Sequence, residues 1–94
     1  MGPEEIAADK TLALFSRALA RDLVDVNALA ERFGRGRLLD LAAEKDRGFD
    51  RRHFAEALAR AAGRPDNDFV DLGVGADKLD QLRDRAAEWR RELL

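Results

Sequence analysis

The stretch ADKLDQLRDRAAEWRREL (residues 76–93) has the clearest helical pattern in the sequence. Its apolar residues recur at spacings of three and four and form one stripe, made of Leu79, Leu82, Ala86, Trp89 and Leu93. This stripe predicts a helix over residues 76–93 with one side packed against a protein core. Because Trp89 belongs to the stripe, we expect it to be a core residue rather than an exposed stacking platform.

The remaining helices are predicted from capping residues and from the breaks between apolar segments. They cover about residues 3–18, 21–33, 37–45 and 51–62. We expect residues 64–75 to form a loop whose apolar side chains, Phe69, Val70 and Leu72, pack against the bundle. Since no segment shows the alternation of a strand, the predicted fold is all-α. It is a compact bundle of about five helices with no sheet, forming a single domain over residues 1–94.

The composition excludes several classes of function. The chain has 94 residues with 17 basic and 19 acidic side chains, so it lacks the basic surface of a free-standing nucleic-acid-binding domain. It has no cysteine, so neither a disulfide framework nor a thiolate metal site is expected. Its apolar runs are too short to span a bilayer. We therefore expect no membrane association and a cytoplasmic location.

Lys10 lies within the apolar segment EIAADKTLALF (residues 5–15). Projecting the first helix at about 100° per residue predicts a core face made of Ala8, Leu12, Phe15 and Leu19. Lys10 falls nearly opposite, among apolar neighbours that would form an interface: Ile6, Ala13 and Leu14. A face of this kind indicates a contact with another domain or a second copy. The alternative is an ordinary surface lysine among scattered apolar residues.

Two aspartates, Asp22 and Asp25, lie one turn apart at the start of the second helix. Taken alone, they are typical of helix capping and of favourable interaction with the helix dipole. A functional role requires a cation close to them, which Lys10 or a metal ion could provide. His53 is the only histidine and has no second imidazole or thiolate with which to share a metal, so no metal site is predicted. The basic cluster at Arg32, Arg35 and Arg37 is predicted to be solvated, with phosphate contact as the alternative.

The segment EEIAADKTLALFSRALARDLVDVNALAERFG (residues 4–34) resembles the distal conserved region of AbiEii/AbiGii-type nucleotidyltransferases. These are the toxins of abortive-infection toxin–antitoxin pairs. In that family a helix with an "aDK..Al..R" pattern precedes a "(K/R)D..D" helix. The segments LLDLAAEKDRGFDRRHFAEALARA (38–61) and FVDLGVGADKLDQLRDRAAEWRREL (69–93) also look like the C-terminal helices of the family. The resemblance therefore covers nearly the whole chain.

The resemblance implies transfer of a nucleotide from an NTP, with Mg²⁺, onto an acceptor. It places Lys10, Asp22 and Asp25 in a catalytic set, and Lys10, Arg17 and Arg21 at the nucleotide. In the family the metal site is formed by an N-terminal Gly-Ser loop and a nearby acidic pair on a polymerase-β-like sheet, and this chain has neither. We therefore expect half a site, inactive alone and without a cofactor of its own.

Two partners are expected for such a chain. One is a catalytic nucleotidyltransferase domain, for which the chain would be the C-terminal helical part of a truncated or split enzyme. The other is a second copy, bound through the face that carries Ile6 and Leu14. Two alternative functions remain: a stand-alone helical interaction module without catalysis, and an RNA-contacting module that uses the arginine cluster at residues 32–37.

Overall fold

The structure is a computed structural model that describes residues 2–94, and this part of the chain forms six helices and no strand. The helices are α1 (Pro3–Arg17), α2 (Ala20–Phe33), α3 (Arg35–Lys45), α4 (Arg51–Ala62), α5 (Asp66–Val70) and α6 (Ala76–Leu93). The all-α prediction is confirmed, and five of the helices correspond to the five predicted ones. The boundaries of α4 and α6 agree with the prediction, whereas α2 and α3 begin one and two residues earlier.

Helix α1 is the centre of the bundle, where it packs against α2, α3 and α4. Helix α6 lies antiparallel along α4, since Arg83 contacts the backbone of Ala62 and Arg90 that of Ala55. The largest fully buried side chains come from all six helices and include Leu14, Val26, Leu38, Phe54, Phe69 and Leu82. A single core therefore connects all the helices, and within it α1 packs against α2.

The apolar stripe of α6 is confirmed. Leu79, Leu82, Ala86 and Trp89 are each at most 5% exposed, and Leu93 is half-buried. The ring of Trp89 meets Phe54 edge-on with centroids 5.0 Å apart, a favourable aromatic geometry. Trp89 is therefore a core residue, as its position in the stripe predicted.

The buried face of α1 is rotated from the predicted one, although Ala8 is buried as predicted, at 3% exposed. Its fully buried residues are spaced by four, three and four along one stripe: Ala7, Thr11, Leu14 and Ala18. Leu12 and Phe15 are only half-buried. The small residues allow neighbouring helices to approach α1 closely, and the Thr11 hydroxyl is satisfied by donating to the Ala7 carbonyl at 2.8 Å.

Because the buried face of α1 is rotated from the predicted one, the predicted interface changes as well. Leu14 is 0% exposed and belongs to the core of this chain, so its assignment to an exposed apolar face was wrong. Ala13 is half-buried, and Ile6 alone of the three is exposed, at 42%. Lys10 lies at the flank of the buried stripe rather than opposite the core.

Helix α5 occupies part of the predicted loop. Its anchor is Phe69, which is fully buried, whereas Val70 and Leu72 are exposed. Only one of the three apolar side chains thus packs against the bundle. Among the described residues, no helix combines the length and apolar character that crossing a membrane requires.

Candidate functional site

The predicted site residues meet along the line where α1 packs against α2, near the turn that joins the two helices, and we call this line the groove between α1 and α2. Arg17 and Asp22 form a forked ion pair, in which Arg17 Nη2 lies 2.8 Å from Asp22 Oδ1 and Arg17 Nε lies 3.0 Å from Asp22 Oδ2. Asp22 Oδ2 also accepts the backbone N–H of Leu19, the N-cap residue of α2, at 3.0 Å. Both oxygens of this carboxylate are therefore already engaged within the chain.

Burial and hydrogen bonding act in opposite directions on the pKa of Asp22. The residue is 1% exposed, and burial alone would raise the pKa of its carboxyl. The hydrogen bonds from Arg17 and from the Leu19 N–H outweigh burial, so the pKa of Asp22 lies below its ordinary value. The same pair raises the pKa of Arg17 through its hydrogen bond to Asp22. Asp22 is consequently a carboxylate fixed in its ionised form.

Lys10 and Asp25 form a second ion pair across the same groove. Lys10 Nζ lies 3.2 Å from Asp25 Oδ2, and the two side chains are 45% and 40% exposed. Ion pairs this exposed to water stabilise a fold only weakly, so the lysine can exchange its partner at little cost. The structure thus brings all three predicted catalytic residues together, although each aspartate already has its own cation.

Arg21 lies next to this network on the exposed side of α2. Within residues 2–94 it makes no ion pair and no side-chain hydrogen bond, whereas Arg17 is 54% exposed despite its pairing with Asp22. The edge of the groove therefore presents three cations to solvent, from Lys10, Arg17 and Arg21. Cations in such an arrangement suit an anionic group such as a phosphate.

The buried carboxylate of Asp22 does not suit a metal ion. Mg²⁺ requires carboxylate oxygens that are free to coordinate it, and those of Asp22 are taken by Arg17 and Leu19. In the part of the chain that the structure describes, no three histidine, cysteine or acidic side chains come close enough to hold a metal ion. His53 is exposed in the first turn of α4.

The arginine cluster is largely engaged within the bundle. Arg35 is bound to Glu88 and Glu92 of α6, and its guanidinium lies 5.7 Å from the centre of the Trp89 ring. Arg37 donates to Glu4 at 2.7 Å, which raises the pKa of Arg37. Two of the three arginines therefore connect helices, and only Arg32 has no carboxylate partner within residues 2–94.

Sequence reasoning missed one residue at the junction of α1 and α2. Arg64, which follows α4, donates from Nε to the carbonyl of Ala18 at 2.8 Å. It also lines a surface cleft of about 220 Å³ together with Arg21 and Leu19. No spacing in the sequence could indicate this contact, because it joins positions 46 residues apart.

Comparison with known proteins identifies the family of the chain. The family described as nucleotidyl transferase AbiEii toxin of a type IV toxin–antitoxin system matches residues 1–93. No curated protein and no solved structure matches the chain. The family match spans the groove between α1 and α2 together with every helix that supports it. The chain belongs to the AbiEii nucleotidyl transferase toxin family.

Proposed function

We propose that this chain is the C-terminal helical domain of an AbiEii-type nucleotidyltransferase, and that it contributes the nucleotide side of the active site. The metal-binding half would come from a catalytic unit that these 94 residues do not contain. Alone, the chain would then transfer no nucleotide. Family membership supports nucleotidyl transfer as the reaction class. The pairing of Asp22 and Asp25 with cations of this chain supports the placement of the metal ions in a separate catalytic unit.

The observation that carries this proposal is that Asp22 and Asp25 are each paired with a cation of this chain. Nucleotidyl transfer by a two-metal mechanism needs carboxylates that hold Mg²⁺ beside the triphosphate and the attacking hydroxyl. Asp22 is buried and bound by Arg17 and Leu19, and Asp25 is paired with Lys10. These aspartates would therefore orient cations rather than bind metal. When the catalytic unit is present, bound Mg²⁺ would neutralise the charge that develops on the phosphates.

The cations of the groove support the assignment of this chain to the nucleotide. Lys10 and Arg17 lie about two turns apart on the same side of α1, and Arg21 is exposed beside them. In phosphoryl-type transfer most of the catalysis comes from positioning and from stabilisation of charge. We assign Lys10, Arg17 and Arg21 to the nucleotide phosphates. Asp22 would keep the guanidinium of Arg17 in a fixed orientation through its two-point contact.

The partner in this proposal is the catalytic nucleotidyltransferase unit. A homodimer through Ile6 and Leu14 has lost its main support, because Leu14 is buried within the chain. A stand-alone interaction module remains the alternative function, and a toxin–antitoxin family is consistent with protein partners. The cytoplasmic location remains a prediction.

A label-transfer assay tests the proposal. The isolated chain is incubated with Mg²⁺, each of the four α-³²P-labelled NTPs in turn, and total tRNA, with a complete family nucleotidyltransferase as the positive control. We expect labelled product only in the control. Mg²⁺-dependent labelling by the isolated chain that disappears in Lys10→Ala would show that the chain holds a whole active site, and it would overturn the proposal.

A further inference from the structure

The turn between α1 and α2 is held in an unusual backbone conformation. Ala18 has φ 50° and ψ 49°, the left-handed region that residues with a Cβ atom rarely adopt. Its N–H donates to the carbonyl of Leu14 at 3.1 Å, which ends α1. A non-glycine residue stays in this region only where its surroundings fix it.

Arg64 is the side chain that fixes the carbonyl of Ala18, on the other side of this residue from its N–H. Its Nε donates to the Ala18 carbonyl at 2.8 Å, and Ala18 itself is 1% exposed. Arg83 in turn holds the backbone that carries Arg64, donating to the carbonyls of Ala62 and Arg64 at 2.9 Å each. The Arg83 guanidinium also lies 5.6 Å from the centre of the buried Phe69 ring. The donor at the Ala18 carbonyl is thus anchored in the core through α5 and α6.

The two neighbours of Ala18 are both partners of Asp22. Arg17 precedes it and supplies the forked ion pair, and Leu19 follows it and supplies the backbone N–H at 3.0 Å. A rotation of the backbone at Ala18 would therefore move both donors away from the carboxylate. We infer that Arg64 is a positioning residue, which acts through the Ala18 carbonyl to hold Arg17 and Leu19 on Asp22.

This inference rests on the proposed function only where it counts the Arg17–Asp22 pair as part of a nucleotide site. The conformational claim concerns the isolated chain and can be tested without any transfer assay. Loss of the Arg64 effect in that test would leave the label-transfer result untouched. Conversely, transfer by the isolated chain would leave the role of Arg64 at the turn unchanged.

Two substitutions separate the hydrogen bond of Arg64 from its charge. In Arg64→Gln the amide nitrogen stands as many bonds from Cα as the arginine Nε, so a donor to Ala18 remains while the charge is lost. Arg64→Met has a similar length and no donor. The matched control is Arg90→Met, which removes an arginine whose Nε donates to the Ala55 carbonyl at 3.2 Å, away from the turn.

The readouts are the pKa of Asp22, from an NMR titration of its carboxyl carbon, and the hydrogen exchange rate of the Leu19 amide. In Arg64→Met we expect the pKa of Asp22 to rise, because Arg17 and Leu19 no longer hold the ionised form. Leu19 exchange should accelerate about tenfold, as expected for the loss of one buried hydrogen bond. Arg64→Gln and Arg90→Met should keep both readouts at their wild-type values.

Three results would overturn the inference. The first is an unchanged pKa of Asp22 and unchanged Leu19 exchange in a folded Arg64→Met variant. The second is an equal change in Arg64→Gln and Arg64→Met, which would attribute the effect to charge. The third is an equal change in Arg90→Met, which would attribute it to a general loss of stability. If Arg64→Met does not fold, wild-type readouts in Arg64→Gln support the inference and shifted readouts overturn it.

Discussion

Replacing Asp22 by asparagine perturbs the candidate site at its most buried point. Asparagine has nearly the same shape and keeps one oxygen that can accept the Leu19 N–H, so the main loss is the charge opposite Arg17. Asp22 is 1% exposed, and Arg17 reaches it with distances of 2.8 to 3.2 Å. The substitution therefore isolates the contribution of the ion pair to stability.

The expected loss of stability in Asp22→Asn follows from the burial of Asp22 and the exposure of Arg17. A hydrogen bond to a charged group contributes about 1.5–3 kcal/mol to stability, and an exposed ion pair about 0–1 kcal/mol. Because water can rehydrate the half-exposed Arg17, we place Asp22→Asn at about 1.5 kcal/mol, or roughly 8 °C in Tm for a domain of this size. The control is Asp25→Asn, whose pair with Lys10 is exposed on both sides, so we expect at most about 0.5 kcal/mol.

The assay is urea unfolding between pH 3 and pH 7, followed by the fluorescence of Trp89, which is the single tryptophan and is buried. Since the pKa of Asp22 is lower in the folded state, its contribution is present above about pH 4, the ordinary range for an aspartate. It is lost as the pH falls through the folded-state pKa. The difference between wild type and Asp22→Asn should therefore shrink on acidification. A cost below about 0.5 kcal/mol at pH 7, or a difference that does not change with pH, would refute this reasoning.

Two further predictions concern the fold and can be measured by the same urea unfolding. Leu14→Ala should cost about 3 kcal/mol because it empties a fully buried site, whereas Ile6→Ala should cost less than about 0.5 kcal/mol; equal losses would mean that the exposed face of α1 is covered in solution. Asp50 caps α4 by accepting the N–H groups of His53 and Arg52, and these hydrogen bonds lower the pKa of Asp50. Asp50→Ala should therefore cost about 1 kcal/mol at pH 7 and less in acid, where the protonated carboxyl is a weaker acceptor, and a cost that is the same at pH 7 and in acid would contradict the role of the ionised cap.

The sequence predicted helices where apolar periodicity and caps agreed. Helix α6 has a stripe of large residues with a clear period, and α4 begins at the Asp50 cap and ends before Gly63. Helix α5 was missed because a single turn rich in aspartate has no period to detect. Its one buried side chain, Phe69, is recognised only when the bundle is assembled.

The buried face of α1 shows why hydrophobicity alone misplaces a central helix. The pattern favoured the large side chains of Leu12 and Phe15, but full burial also occurs at the small residues Ala7, Thr11 and Ala18. Small residues contribute little to a hydrophobic pattern, although they decide how closely helices approach. A threonine hydroxyl that bonds to its own helix can also be buried at little cost.

The resemblance named the candidate residues and not how they pair. The resemblance brought Lys10, Arg17, Asp22 and Asp25 to one region, and the structure places all four in the groove between α1 and α2. Which cation meets which carboxylate depends on the turn at Ala18. The geometry of that turn is fixed by a contact from far along the chain, which no local pattern encodes.

Complementation of nucleotidyl transfer tests the central claim most directly. The isolated chain is added to the catalytic segment of a family nucleotidyltransferase that lacks its own helical region, and label transfer from NTP is measured with Mg²⁺. We predict that the wild-type chain restores transfer, that Lys10→Ala reduces the restored rate about 100-fold, and that the exposed control Arg60→Ala leaves it unchanged. No restoration by the wild-type chain, or equal restoration by Lys10→Ala, would contradict the assignment of half an active site to this domain.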